Sequence, residues 1–281
     1  MKTTNIDQAD KMTITQANRP IAFTSFRFSG GETQFKLTDH VEAATPVALT
    51  CRIRSGDDVM ELLLAVDALK RLGVSSELIS LKLPYLPYAR QDRVMVTGEA
   101  FSLKVFAQLI NSLQLGRVEV FDPHSDVGPA LIDRCEVRDN LSCATAYIQS
   151  QVLPTPFVLI SPDAGAYKKT SKLAEKLQAE VVVATKSRNV SDGKLAAPQV
   201  LGDVSGRACV IVDDICDGGR TFINLAEALQ AAGASECHLF VSHGIFSTGY
   251  DTLLSRFKTI GTTDSFKPAS EFPDSIQIIT L

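Results

Sequence analysis

A chain of 281 residues, 45% hydrophobic and 21% charged, carries enough apolar material for a full core and excludes an intrinsically disordered protein. The length suits one large domain or two of ordinary size, with two slightly favoured. A net charge of −4, with Lys and Arg dispersed, excludes the basic stripe that a nucleic-acid backbone demands, and no apolar stretch approaches the length of a membrane span.

In chain order, the polar opening MKTTNIDQADKMT lacks the apolar run of a secretory leader. Residues 57–73 place Met60, Leu63, Leu64, Val66 and Leu69 at helical intervals with Gly73 as a stop, and SELISLKLPYL predicts a strand after it. A second helix is expected over Ser102–Leu115, then a brief strand over Arg117–Phe121 that runs directly into Asp122–His124. The second half repeats the plan. Strands are predicted over 156–161, 180–186, 208–214 and 236–243, with helices near 168–178 and after Thr221. Alternating strands and amphipathic helices make the class α/β, and the boundary between halves is placed at residue 141, giving 1–141 and 142–281. The six cysteines (Cys51, Cys135, Cys143, Cys209, Cys216, Cys237) form no CxxC pair and are expected as reduced thiols of a cytoplasmic protein.

The sharpest local feature is VIVDDICDGGRTF, residues 210–222: an apolar strand, two acids, a glycine turn, then a helix. Backbone N–H groups of Asp217, Gly218, Gly219, Arg220 and Thr221, with the helix start behind them, can cradle a phosphate. Asp213 and Asp214 can accept hydrogen bonds from ribose hydroxyls. The plainer alternative is a strand-to-helix turn in which Asp217 caps the helix and the acids are solvated.

This run resembles the ribose-phosphate motif of type I phosphoribosyltransferases and of ribose-phosphate pyrophosphokinases, in which two acids precede Thr-Gly-Gly-Thr. PYLPYARQDRV, residues 84–94, resembles the ATP-binding signature of the second family, placing Arg90, Gln91, Asp92 and Arg93 at ATP; the transferases lack it. Arg90 and Arg93 supply cations that can fork onto phosphate oxygens. FDPHSD (121–126) and SPDAG (161–165) resemble the segments in which that family holds Mg²⁺, here by His124 and Asp163. TKSRNV (185–190) matches the place of its catalytic loop, which makes Lys186 and Arg188 the catalytic candidates. FRFSGGE (26–32) resembles the segment that reaches across a subunit interface to the adenine, with Phe28 and Glu32 as contacts.

These segments, in the right order between about Phe26 and Phe246, carry the resemblance. It implies two phosphoribosyltransferase-like (type I) domains, each a mainly parallel sheet flanked by helices. It also implies ATP and a phosphorylated ribose as substrates, Mg²⁺ as cofactor, AMP as a product, and a homo-oligomer with its site near an interface. Three departures qualify it. Arg220 replaces a small residue in the phosphate loop, which suits either a solvent-facing side chain or an acceptor larger than ribose 5-phosphate, such as ADP-ribose. Gly30 stands where an aspartate is usual near the adenine. VMVTGEAFSLK replaces the basic stretch of many bacterial members. A phosphoribosyltransferase and a non-catalytic regulatory subunit are the competing readings.

Overall fold

The structure is a computed structural model that describes residues 11–151, 156–163, 165–185 and 198–281. It divides into two compact units: the chain up to Asp139 with Ser265–Lys267, and Asn140–Asp264 with Pro268–Leu281.

The first unit begins with β1 (Met12–Gln16) and β2 (Arg19–Pro20), then the separate hairpin β3 (Phe23–Arg27) and β4 (Thr33–Leu37). β5 (Val47–Cys51), α1 (Gly56–Arg71), β6 (Ile79–Leu83), α2 (Ser102–Ser112), β7 (Arg117–Phe121), α3 (Val127–Leu131) and β8 (Cys135–Arg138) complete it. The sheet order is β2-β1-β5-β6-β7-β8, with β5 through β8 parallel and β1 antiparallel to β5. β6 shows why the sequence folds this way: Ile79, Leu81 and Leu83 alternate with Ser80 and Lys82, and all three apolar residues are buried.

α1 starts at Ser55, whose Oγ accepts from Asp58 N at 3.3 Å and donates to Asp58 Oδ2 at 2.8 Å, so cap and first turn satisfy each other. Its buried stripe is Val59, Leu62, Ala65, Val66 and Leu69. This corrects the sequence reading at one end: Met60 is 47% exposed, because the core-facing rows begin one residue earlier, at Val59.

The second unit holds α4 (Leu141–Ser150), β9 (Phe157–Ser161), α5 (Tyr167–Leu177), β10 (Glu180–Thr185), β11 (Gln199–Leu201), β12 (Ala208–Cys216), α6 (Arg220–Ala231), β13 (Glu236–Gly244), α7 (Asp251–Leu254), β14 (Thr259–Thr263) and β15 (Ile276–Ile279). Its order is β11-β10-β9-β12-β13-β14-β15, parallel except at the β11 edge. β12 is apolar and buried over Ala208–Val212, and β13 is buried from Cys237 to Gly244 with Leu239, Phe240 and Val241 at its centre, as strands covered on both faces must be. The architecture is α/β with two mainly parallel sheets, as expected. The six cysteines are free thiols, and no described helix is long and apolar enough to cross a membrane.

A buried polar chain runs across the amino ends of β13 and β14. The hydroxyls of Tyr147 and Thr259 share a 2.7 Å hydrogen bond, Thr259 Oγ1 meets His238 Nδ1 at 2.8 Å, His238 Nε2 meets Glu236 Oε1 at 3.1 Å, and Lys258 Nζ donates to Glu236 Oε2 at 2.6 Å. Burial pushes His238 below the usual histidine pKa, against the opposing pull of Glu236. The unfolded chain, with a histidine pKa near ~6.5, therefore binds protons more readily than the folded one. This stability is present above that value and lost as pH falls through the lower folded pKa. We expect the melting temperature to drop between pH 7.5 and pH 5.5 and His238→Gln to flatten that slope; an unchanged slope in the variant would assign the acid sensitivity elsewhere.

Candidate functional site

In the second unit the candidate groups gather at the carboxyl ends of the strands, where open α/β sheets bind ligands. β12 and β13 pair from Ala208↔Glu236 to Cys216↔Gly244, whereas β9 pairs with β12 only over Phe157–Ile160 opposite Ala208–Ile211. The last residues of β12, with Asp213 and Asp214, thus project past β9 with β13 as their support. Asp213 Oδ1 accepts from Asp214 N at 2.9 Å, and Asp214 Oδ1 from Ile215 N at 2.8 Å, so each carboxylate is aimed by the backbone that follows it. Burial, then the neighbouring Asp214 and Asp163 carboxylates, push Asp213 up to about 8. Asp163, after β9, accepts from Ala166 N through Oδ1 at 3.0 Å, which sets the turn into α5.

The turn between β12 and α6 is braced from the segment after β13. Ile245 N and Phe246 N donate to Cys216 O at 2.9 and 3.1 Å, and Ser247 N donates to Asp217 O at 3.2 Å. Ser247 Oγ donates to Asp217 Oδ1 at 2.6 Å, and Thr248 Oγ1 to Gly218 O at 3.1 Å. Asp217, the plainer sequence alternative for the cap of α6, does not occupy the cap position, and its side chain accepts from Ser247. The cap position falls to Gly219, at φ 74° and without a side-chain cap. That backbone stands directly before the amino end of α6, within the Asp217–Thr221 turn. Arg220 is exposed on the first turn of α6, and no described carboxylate forms an ion pair with it.

In the first unit, the loop after β6 presents Arg90 and Gln91 to solvent while Asp92 is buried. Asp92 Oδ1 accepts from Arg93 Nε at 2.8 Å, and its Oδ2 accepts from Arg93 Nη2 at 3.2 Å and from Ser125 Oγ at 2.7 Å. Arg93 beside it, then the Ser125 hydroxyl, and the charge of His124 hold the Asp92 carboxyl down to about 2 despite burial. His124 is exposed on the turn after β7, next to Ser125. Arg90 and Gln91 line a cavity of about 270 Å³ with Arg54, Tyr85, Tyr88 and Phe266; the Tyr85 and Phe266 rings meet edge to face at 5.3 Å. Two guanidinium groups among three aromatic rings suit a planar, anionic ligand.

At the β3–β4 hairpin, Phe26 and Phe28 are exposed, 4.9 Å apart between ring centroids. Phe28 N donates to Glu32 O at 2.9 Å and closes the turn. Glu32 folds over Gly30: a β-carbon there would stand 2.6 Å from Glu32 Oε2, so glycine leaves room for the carboxylate that an aspartate would displace. Lys186 and Arg188 lie outside the described residues. Sequence reasoning missed Ser125, Ser247 and Thr248 as supporting groups, and Arg54, Tyr85 and Phe266 as cavity walls. Of these, Ser125 and Tyr85 lay inside segments singled out for their chemistry.

The chain matches the family described as the N-terminal domain of ribose phosphate pyrophosphokinase over residues 4–113, and the phosphoribosyl transferase domain over residues 144–263. It is 34% identical over 232 residues to a ribose-phosphate pyrophosphokinase of Bradyrhizobium diazoefficiens, covering 81% of this chain and 72% of the relative. It is 33% identical over 245 residues to one from Maricaulis maris, covering 85% and 77%. The fold superposes on the crystal structure of phosphoribosylpyrophosphate synthetase from Mycobacterium smegmatis with a TM-score of 0.79 at 24% identity, covering 92% of this chain and 86% of that one.

The left-handed cap yields a direct test. Gly219→Ala would force a β-carbon into the αL region and to 3.0–3.1 Å from the Leu253 side chain. The strain alone is worth roughly 1–2 kcal/mol. Denaturant unfolding should show a loss of about that size, and a neutral substitution would mean that the turn relaxes freely.

Proposed function

Since the chain belongs to the ribose-phosphate pyrophosphokinase family, whose members are ATP-dependent diphosphotransferases, we propose that it moves the β,γ-diphosphoryl group of ATP to the anomeric hydroxyl of a 5-phosphorylated ribose. Ribose 5-phosphate is the acceptor favoured first. The observation that carries this reading is the paired acids Asp213 and Asp214 followed at once by a glycine turn at the amino end of α6. A sugar with its 5-phosphate in the turn of Asp217–Thr221 brings its ring hydroxyls to the two acids. ATP is held by Arg90, Gln91 and Arg93, with Phe28 and Glu32 supplied by a neighbouring copy in a homo-oligomer. The two exposed phenylalanine rings of the hairpin fit that role.

The donor set suits Mg²⁺. Asp213 is raised partly by crowding with Asp214 and Asp163, which a hard divalent cation would relieve, and Mg²⁺ takes few protein ligands. Asp163 and His124 are the residues we assign to hold it, and when bound it supplies charge neutralisation to the phosphate oxygens. The chain's own part is positioning and fixed charge. The anomeric oxygen attacks the β-phosphorus of ATP, the bond from that phosphorus to the α,β-bridging oxygen breaks, and AMP leaves. Lys186 and Arg188 stabilise the charge that develops.

A second reading concerns the acceptor alone. Arg220 stands exposed at the mouth of the phosphate turn, where its cation fits a sugar whose 5-position carries a diphosphate ester, as in ADP-ribose.

AMP release from ATP and Mg²⁺ should depend on acceptor, with the sugar diphosphate identified by mass; silence with both sugars would favour a non-catalytic, nucleotide-binding member. Lys186→Ala should cut kcat by about 100-fold or more with little change in ATP affinity, and undiminished turnover would remove the residue from catalysis. Under the second reading, Arg220→Ala raises KM for ADP-ribose about tenfold and leaves that for ribose 5-phosphate within about twofold. Equal effects on both sugars would reject it.

A further inference from the structure

Two loops of the first unit, far apart in sequence, meet at one buried carboxylate. Asp92 lies among the exposed Arg90, Gln91 and Arg93 yet is itself only 6% exposed. Three hydrogen bonds fill it, two from the Arg93 guanidinium and one from Ser125 Oγ at 2.7 Å. An ionised carboxylate offers about four acceptor positions, so most of its capacity is already spent on the protein. The Arg93 fork fixes one side of the carboxylate, and Ser125 binds it to the turn that carries His124. Gln91 O, one residue earlier, accepts from Leu103 N at 3.3 Å, which ties the same loop to the start of α2.

We infer that Asp92 is a positioning residue for the diphosphoryl donor and does not touch the nucleotide. It joins the loop of Arg90 and Gln91 to the turn of His124, so that groups from two strand ends keep one mutual geometry. This rests on the reading of Arg90, Gln91 and His124 as donor-side groups. The physical reason is that exposed loops hold long side chains loosely, and a displacement of about 1 Å can cost ~100-fold in rate. A buried ionic hydrogen-bond node confines both loops, and its low exposure keeps water from competing. Asp92 thereby serves as the internal counterion of a loop otherwise rich in cations. Ser125 is its partner and acts only through it.

The test uses the full chain carrying Asp92→Asn, Ser125→Ala, Ser125→Thr and the Asn/Ala pair. Calorimetry reads ATP binding without Mg²⁺ and with it, kinetics reads KM for ATP and for the sugar, and thermal unfolding reads stability. Asp92→Asn should weaken ATP binding about tenfold and Ser125→Ala about threefold, with the double variant no worse than Asp92→Asn, since one contact cannot be lost twice. Ser125→Thr, which keeps the hydroxyl, should restore binding, and KM for the sugar should hold within about twofold in every variant. If both Ser125 variants bind ATP as the wild type does while Asp92→Asn does not, Asp92 contacts the nucleotide itself and the inference fails. A lowered melting temperature with unaltered ATP binding would reduce Asp92 to a structural role and also overturns it. Failure of the unmodified protein to bind ATP would instead strike the donor reading on which the inference rests.

Discussion

β12 and β13 stay in parallel register across nine residues each, longer than the strands beside them, and the paired acids and the turn into α6 depend on that extra length. Pairing with β9 ends at Ile211, so Asp213, Asp214 and Cys216 are carried beyond the body of the sheet on β13 alone. The continuation of β13 then turns under the glycine loop and donates to Cys216 and Asp217 carbonyls, with Thr248 reaching the carbonyl of Gly218. An anion-binding turn must keep its N–H groups outward and unpaired, which leaves its carbonyls to be satisfied from behind. Here the residues from Ile245 to Thr248 satisfy the carbonyls of Cys216, Asp217 and Gly218.

Charge is arranged differently in the two units. In the first unit a single acid, Asp92, is surrounded by cationic or hydroxyl partners, and its pKa is driven down. In the second unit Asp163, Asp213 and Asp214 lie close together at the strand ends, and burial with the neighbouring carboxylates drives Asp213 up. The first pattern is a completed internal node that confers order. The second gathers acids at strand ends, where burial and like charge raise the pKa of Asp213.

Much of this was legible in the sequence because it depends on local periodicity. Alternation in Ile79–Leu83 and the run Ala208–Val212 mark strands irrespective of their neighbours, and the strand Arg117–Phe121 ends where the pattern says it should. The motif segments were equally visible, since a turn that approaches phosphate needs glycines next to one another in the chain. Side-chain direction was less so. Met60 and Val59 are both apolar and adjacent, and only packing chose Val59 for the core. Arg90, Gln91, Asp92 and Arg93 read as four equivalent ligand candidates, yet Asp92 turns inward because a serine 33 positions later offers a hydroxyl at 2.7 Å.

The sequence by itself determined the α/β class, the positions of most strands and helices, and the families to which its motifs point, because each of these is written in residues within a few positions of one another. Tertiary structure alone decided which acid is a strut and which is crowded, that Ser247 engages the Asp217 side chain, and that Phe266 returns to wall a cavity beside Tyr85. Those are contacts across 30 residues of chain from Asp217 to Ser247 and 181 from Tyr85 to Phe266. Nothing in local composition specifies them, since they exist only once the sheets have brought their strand ends together.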